Sequence, residues 1–171
     1  MAEMGTVCCF TGHRKISPEH AKALKSELDR ALEILVRSGV RTFRAGGAIG
    51  FDTLAALTVL DMRENDPSIR LELCLPCKDQ DRLWSDEDRK IYRYVLERAD
   101  KVTYVCENYT RSCMLERNRF MVDGSQFCVA FCLDPNRQRG GTAYTVRYAK
   151  SKNVPVIDLG LKVKLLTEYE N

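Results

Sequence analysis

The sequence predicts an α/β domain built on a doubly wound, mostly parallel six-stranded sheet with helices on both faces. Three observations predict it. Apolar runs of strand length alternate with helical patterns from one end of the 171 residues to the other. Glycines and caps fall where each strand would give way to a helix. No repeat, low-complexity tract or linker interrupts the pattern, so residues 1–171 read as one Rossmann-like domain.

The elements follow in order. Thr6–Thr11 is a buried strand. Ser17-Pro18-Glu19 then supplies a cap, a proline at the first helical position and an acid in the first turn. Ala21, Leu24, Leu28, Ala31, Leu32 and Leu35 recur at helical spacing until Gly39 stops the helix. Val40–Ala45 is the second strand and Phe51–Glu64 the second helix. Ile69, Leu71, Leu73 and Leu75 alternate with Arg70, Glu72 and Cys74 as a third strand, ended by Pro76. Ser85 with Asp88 makes a capping box, and Ile91, Val95 and Ala99 give the third helix its apolar stripe. Lys101–Cys106 is strand four, Cys113–Val122 helix four, Gln126–Leu133 strand five, Thr142–Lys152 helix five and Val154–Leu159 strand six. Residues 161–171 carry no readable pattern. In such a sheet the crossovers are right-handed, and ligands bind beyond the carboxyl ends of the strands.

Composition narrows the function. With 44% apolar residues the chain can bury a substantial core. A net charge of +3, from 27 basic and 24 acidic residues, argues against a dedicated duplex-DNA binder but suits a small anion held by a few arginines. No stretch reaches the ~20 apolar residues of a membrane span, and Met1 to Thr6 carry no basic-then-apolar leader. A cytoplasmic protein is therefore expected. Its eight cysteines should then be reduced thiols, with Cys8, Cys9, Cys106, Cys128 and Cys132 acting as small core residues.

Four unusual segments fall at strand-to-helix turns on one edge of the expected sheet: Thr11-Gly12-His13-Arg14, Gly46-Gly47-Ala48-Ile49-Gly50-Phe51-Asp52, Met114 to Asp123, and Gly140-Gly141-Thr142. Paired glycines before a helix let the backbone approach an anion at the positive end of the helix dipole; equally, they make tight turns. Thr142 adds a hydroxyl. Arg14 suits a bidentate phosphate contact and His13 a hydrogen bond to base or ribose, against the plainer reading of a solvated turn beside Lys15. Arg117 shares a helix face with Met121, four residues on, while Arg119 points elsewhere. Gly46-Gly47-x-x-Gly50 is not the dinucleotide fingerprint of a dehydrogenase, and no acid stands where it would hold the ribose of NAD.

Cys74-Leu75-Pro76-Cys77-Lys78 offers a rival reading as a thiol redox motif, although Cys74 belongs to an alternating strand rather than a turn. Cys128 and Cys132 face the same side of a strand but lack a matching zinc knuckle, so no metal is expected.

Phe10-Thr11-Gly12-His13-Arg14, the Gly46–Asp52 turn, Gln80 with Trp84, Cys113-Met114 leading to Arg117–Asp123, and Gly140-Gly141-Thr142-Ala143-Tyr144-Thr145-Val146 together resemble the YpsA-like branch of the SLOG superfamily, across roughly Val7 to Asp158. The resemblance implies a fold shared with the DprA DNA-processing proteins and the Lonely Guy phosphoribohydrolases. It also implies a nucleotide or nucleotide-derived ligand, which some members sense and others cleave at the base. A homodimer is expected from the superfamily alone. One departure matters. Lonely Guy enzymes pair an arginine after strand four with a glutamate just beyond the glycine-rich turn, and Met114-x-x-Arg117 is similar to the arginine segment. After Gly140-Gly141-Thr142, however, no acid occupies the first turn. An oxocarbenium-like transition state wants a nearby carboxylate, for which Asp52 and Glu116 are the substitutes, and Asp52 has the plainer role of favouring its own helix N-terminus.

The sequence thus predicts binding or sensing of a phosphate-bearing, nucleotide-like ligand, ahead of N-glycosidic hydrolysis and of thiol chemistry at Cys74 and Cys77. The binding candidates are Thr11, Gly12, His13, Arg14, Gly46, Gly47, Gly50, Asp52, Arg117, Asn118, Met121, Gly140, Gly141 and Thr142. Arg117, Asp52 and Glu116 are the catalytic candidates, and no cofactor is expected.

Overall fold

The computed structural model describes residues 6–169. Strands β1 (Thr6–Gly12), β2 (Val40–Ala45), β3 (Arg70–Leu75), β4 (Lys101–Tyr104), β5 (Phe127–Phe131) and β6 (Val156–Asp158) alternate with helices α1 (Pro18–Arg37), α2 (Phe51–Asn65), α3 (Asp86–Arg98), α4 (Cys113–Asp123), α5 (Gly141–Ser151) and α6 (Gly160–Tyr169). The six strands form one sheet in the order β4-β3-β2-β1-β5-β6, and every neighbouring pair is parallel. This is the doubly wound Rossmann-like arrangement, wholly rather than mostly parallel.

Strand alternation sorts the core into two unlike layers. Phe10, Phe43, Leu71, Leu73, Val129 and Phe131 meet α1, α2, α3 and α6 on one face, where Phe10 stacks on Phe43 at 5.9 Å and lies edge-on to Phe51 at 6.2 Å. The opposite face carries small side chains: Cys9, Cys74, Cys128, Ala130 and Cys132 lie under Met121 and Val122 of α4 and Ala143, Val146 and Ala149 of α5. On the α5 side the facing residues are small or medium-sized, whereas α4 fills its share of the interface with the bulkier Met121.

Local chemistry explains the helix ends. Pro18 opens α1 after Ser17, whose carbonyl takes the N–H groups of His20 and Ala21, while its hydroxyl makes no capping bond. Ser85 caps α3 fully: its Oγ accepts from the Asp88 N–H at 3.2 Å and donates to the Asp88 carboxylate at 2.9 Å. The apolar stripe of α3 differs from the expected one. Tyr92 and Val95 are buried, whereas Ile91 is 40% exposed, because Tyr92 turns inward to pack edge-on against Trp84 at 5.3 Å. Cys106 also departs from expectation. It lies beyond the end of β4, half-buried rather than in the core, although the N–H groups of Val105 and Cys106 still bond to the Leu75 and Pro76 carbonyls.

The tail without a readable pattern is helical from Gly160 to Tyr169 and packs on α1. Val163 is buried, and Lys162 reaches the buried Glu27 of α1 at 3.7 Å, where Arg30 also lies at 3.2 Å. Of the segments read from sequence, residues 1–5 and 170–171 lie outside the described residues. Among the described residues no helix is long and apolar enough to cross a membrane.

Candidate functional site

Strand order reverses between β1 and β5: the chain builds leftward from β1 to β4, then returns to place β5 on the other side of β1. The loops leaving β1 and β5 therefore diverge to opposite faces and leave a crevice. A cleft of about 390 Å³ occupies it, lined by Phe10 to Arg14, Ala48, Asp52, Met114, Leu115, Arg117, Asn118, Gly141 and Thr142. Four separate turns thus meet at one place. A second chamber of about 510 Å³ adjoins it, sharing His13, Arg14, Gly141 and Thr142 and adding Lys15, residues 133–134, Arg137, Arg139, Gly140 and Ala143.

Arg117 projects from α4 into the wall of the cleft and is only 4% exposed. Its Nη1 donates to the Gly46 carbonyl and to the Cys74 carbonyl at 3.4 Å, its Nε donates to Asn118 Oδ1 at 2.9 Å, and its Nη2 meets the Met114 sulfur at 3.9 Å. This guanidinium therefore fastens α4 to the carboxyl ends of β2 and β3. Met114 also receives Nη2 of the exposed Arg14 at 3.9 Å, so one thioether lies between two cations.

Asp52 stands opposite on the first turn of α2, 6% exposed, and accepts the Ala48 N–H at 3.3 Å. Burial pushes its carboxyl above its ordinary value, against the downward pull of Arg117, of the Ala48 hydrogen bond and of Arg14. Burial likewise depresses the Arg117 guanidinium, with Asp52 opposing. Gly46 allows this approach, since a Cβ there would lie 2.6 Å from Arg117 Nη1 and 2.7 Å from Asp52 Oδ2.

The two glycine-rich turns differ in what they leave open. At α2 the Phe51 N–H is taken by the His13 carbonyl at 3.1 Å, and Asp52 already stands at the helix N-terminus. Gly46 and Gly47 are buried, the latter against Leu75 and Gln80, and Gly50 packs on the Arg14 backbone. At α5 the cap is Gly140, with no side-chain cap bond and no acid in the first turn. Gly141 and Thr142 there face both chambers. The first amides of a helix lack intrahelical acceptors, and at α5 no side-chain cap and no first-turn acid meets them.

His13 is fixed rather than free. Its Nε2 accepts the Leu133 N–H at 2.9 Å, which places the ring proton on Nδ1, and its ring lies edge-on to Phe131 at 5.4 Å. Burial lowers its pKa, Asp158 opposes, and Arg137 reinforces the lowering.

Several singled-out residues lie away from the cleft lining. Met121 is buried under the sheet, on the same face of α4 as Arg117, and Arg119 is exposed. Glu116 accepts the Cys106 thiol at 2.8 Å. Cys74 and Cys77 are both buried free thiols pushed up to about 11 by burial, the reverse of an activated redox cysteine. Among the described residues no group of three or more His, Cys, Asp or Glu side chains is placed to hold a metal ion. Sequence reasoning missed Lys15, Arg137 and Arg139 as lining residues, although both arginines stand just before the Gly140-Gly141 pair it singled out.

A wholly parallel, doubly wound α/β sheet with a cation-lined cleft at its switch point defines a Rossmann-like protein. The chain belongs to the YspA SLOG family, whose sequence model, YpsA, matches residues 8–160. The SPbeta prophage-derived protein YoqJ of Bacillus subtilis (strain 168) is 28% identical over 130 residues, covering 69% of this chain and 74% of that protein. A UPF0398 protein of Bacillus pumilus (strain SAFR-032) is 25% identical over 130 residues, 75% of this chain and 69% of its own. Among solved structures, DNA processing protein A from Helicobacter pylori superposes with a TM-score of 0.61 at 17% identity, a likeness of fold. It covers 90% of this chain, which spans 64% of that protein's chain.

Proposed function

We propose that this protein binds a nucleotide-like, phosphate-bearing ligand in the cleft beyond the carboxyl ends of β1 and β5. One observation carries the reading: Arg14, the buried pair Asp52 and Arg117, and the uncapped N-terminus of α5 all face one cavity. The phosphate sits on the first-turn amides of α5 and the Thr142 hydroxyl, with Arg14 as its counter-charge. Asp52 takes a sugar or base hydrogen bond, and Asn118 and His13 flank it. Arg117 mainly holds the wall, since most of its donors are already engaged within the protein. The Helicobacter pylori neighbour is described by its single-stranded DNA binding mode, which fits a ligand of nucleotide chemistry. Eight unpaired cysteines suit a reducing, cytoplasmic setting.

The test is thermal unfolding with a panel of nucleoside monophosphates, because a ligand bound to the folded state alone raises its apparent stability. The Thr142→Asp variant sets a carboxylate where the phosphate would lie, at a helix N-terminus that tolerates negative charge. It is expected to keep its unliganded Tm and lose the nucleotide-induced rise. No rise with any nucleotide in the wild type overturns the reading.

A second reading has one observation of its own. Among the described residues Asp52 is the single acid lining this cleft, and burial raises its carboxyl from the ordinary value, the direction that suits proton donation to a leaving base. Release of free base from a nucleoside monophosphate, abolished in Asp52→Asn, would favour hydrolysis over binding alone.

A further inference from the structure

We infer that the second chamber accepts a second phosphate, so that the ligand is a nucleoside diphosphate, free or esterified at its β-phosphate, rather than a monophosphate. The inference rests on the nucleotide reading above. The chamber of about 510 Å³ opens directly from the cleft through the shared wall of His13, Arg14, Gly141 and Thr142. A group held on the α5 N-terminus therefore borders both spaces.

The charge of this chamber is unbalanced. Arg14, Lys15, Arg137 and Arg139 line it against one acid, Asp134. Among the described residues none of these four cations is in an ion pair, whereas Arg44, Arg63 and Arg89 pair with Glu72, Asp100 and Asp81 at 2.9, 2.8 and 3.4 Å. Four like charges around a concave space repel one another, and a bound polyanion removes that repulsion. A single phosphate on α5 leaves Arg137 and Arg139 unmatched. A second phosphate, bonded to the first, matches them.

The loop is also held in shape for this. Arg147 of α5 donates from Nη1 to the Arg137 carbonyl at 2.7 Å and from Nη2 to the Gln138 carbonyl at 3.3 Å. The Leu133 N–H is tied to His13, and the Leu133 carbonyl accepts from Lys164. The loop is thus anchored through backbone groups, the Arg137 carbonyl among them, and the Arg137 and Arg139 side chains take no part in that anchoring. Arg137 already acts on His13, helping to hold that ring neutral.

The experiment is calorimetric titration of AMP, ADP, ADP-ribose and a single-stranded oligothymidylate into the wild type and the variant Arg137→Ala with Arg139→Ala. Arg147 is kept, so the loop anchors survive. ADP is expected to bind the wild type about tenfold more tightly than AMP, and the double variant to lose most of that margin while its affinity for AMP stays within about twofold. ADP-ribose binding as well as ADP shows that an esterified β-phosphate is accepted; ADP alone shows a free one. AMP binding normally with no advantage for ADP overturns the second phosphate and leaves the nucleotide reading standing. A variant that loses AMP and ADP equally does the same, because the arginines then act as a general field. Oligothymidylate binding that depends on the two arginines while ADP binding does not makes the chamber a nucleic-acid contact and also overturns the inference. Silence with every ligand overturns both readings.

Discussion

The imidazole Nε2 of His13 accepts the backbone N–H of Leu133 at 2.9 Å, joining the turn after β1 to the turn after β5 across the sheet's switch point. The bond requires a neutral ring, since a protonated Nε2 has no lone pair to offer. A residue that looks in the sequence like a ligand contact is therefore also a tie between the two loops that frame the cleft.

This tie gives stability a pH dependence whose sign is fixed. The His13 pKa is lowered in the fold from its ordinary 6.5, chiefly by burial and secondarily by Arg137, with Asp158 opposing. The unfolded chain then takes up the proton first. The contribution of His13 is fully present above its ordinary value and is lost as pH falls toward the lower folded value. Urea unfolding at about pH 7.5 and about pH 5.5 should show the wild type losing more stability over that interval than His13→Gln. Equal losses would show that Leu133 does not depend on the neutral ring.

Gly50 makes a second prediction. Its φ is +82°, and a Cβ at this position would overlap the carbonyl of Arg14. Gly50→Ala should cost about 3 kcal/mol, combining backbone strain with a clash against main chain that cannot move alone. Gly140 has φ +119°, but among the described residues a Cβ there would meet no atom within 4 Å. Gly140→Ala should therefore cost only about 1 kcal/mol in a denaturant titration. Equal costs at both sites would show that strain alone, without the Arg14 contact, governs Gly50.

The contrast shows what sequence can and cannot carry. Val40–Ala45 was legible to the residue, because six residues containing β-branched and aromatic side chains stand between the punctuating Gly39 and Gly46-Gly47. The meeting of Thr11–Arg14, Asp52, Arg117, Asn118 and Gly141-Thr142 at one cleft followed from topology once the strands alternated with helices. What local periodicity misses is a choice made by distant partners. Ile91 and Tyr92 are adjacent and both apolar enough for the core, and Trp84 decides for Tyr92. Helix α6 was hidden because Leu161, Leu165 and Leu166 stay exposed and blur the stripe that Val163 belongs to. Arg137 and Arg139 carry no periodic signal, and their place beside the cleft comes from the fold, in which Arg147 holds the carbonyls of Arg137 and Gln138.

Asp52 and Arg117 give a prediction about opposing charges. The Asp52 carboxyl is raised in the fold, mainly by burial, so its contribution is most favourable below its ordinary value of 3.8 and is lost as pH rises through the higher folded value. Asn at this position keeps an acceptor for the Ala48 N–H without the buried charge. Measured by urea unfolding, Asp52→Asn should gain stability relative to the wild type as pH rises from about 4 to about 7. Arg117→Met should instead cost about 1–3 kcal/mol, since it strips donors from the buried Gly46 and Cys74 carbonyls and removes the cation that opposes the burial cost of Asp52. Combining the two changes should recover part of that loss. Strict additivity would show that the residues do not act on each other.

The Cys106–Glu116 contact makes the last prediction. The thiol donates to Glu116 Oε2 at 2.8 Å, and this bond, ahead of burial and the carboxylate's charge, pushes Cys106 up to about 11 from an ordinary 9.0. Glu116→Gln removes the negative charge that both holds the proton and repels the thiolate, so the pKa should fall back toward 9.0. The thiolate fraction near neutral pH then rises by up to about a hundredfold. A less basic thiolate is intrinsically a weaker nucleophile, which offsets part of that gain and leaves about a tenfold faster alkylation by iodoacetamide. Cys74 and Cys77, buried in the fold, should stay unlabelled on the same timescale in both proteins. If Cys106 labels no faster in Glu116→Gln, then access through the loop between β4 and α4 limits its reactivity. Acceleration confined to Cys106 would show that Glu116 is occupied in restraining this thiol, which in turn removes it from the carboxylates available to any chemistry in the cleft.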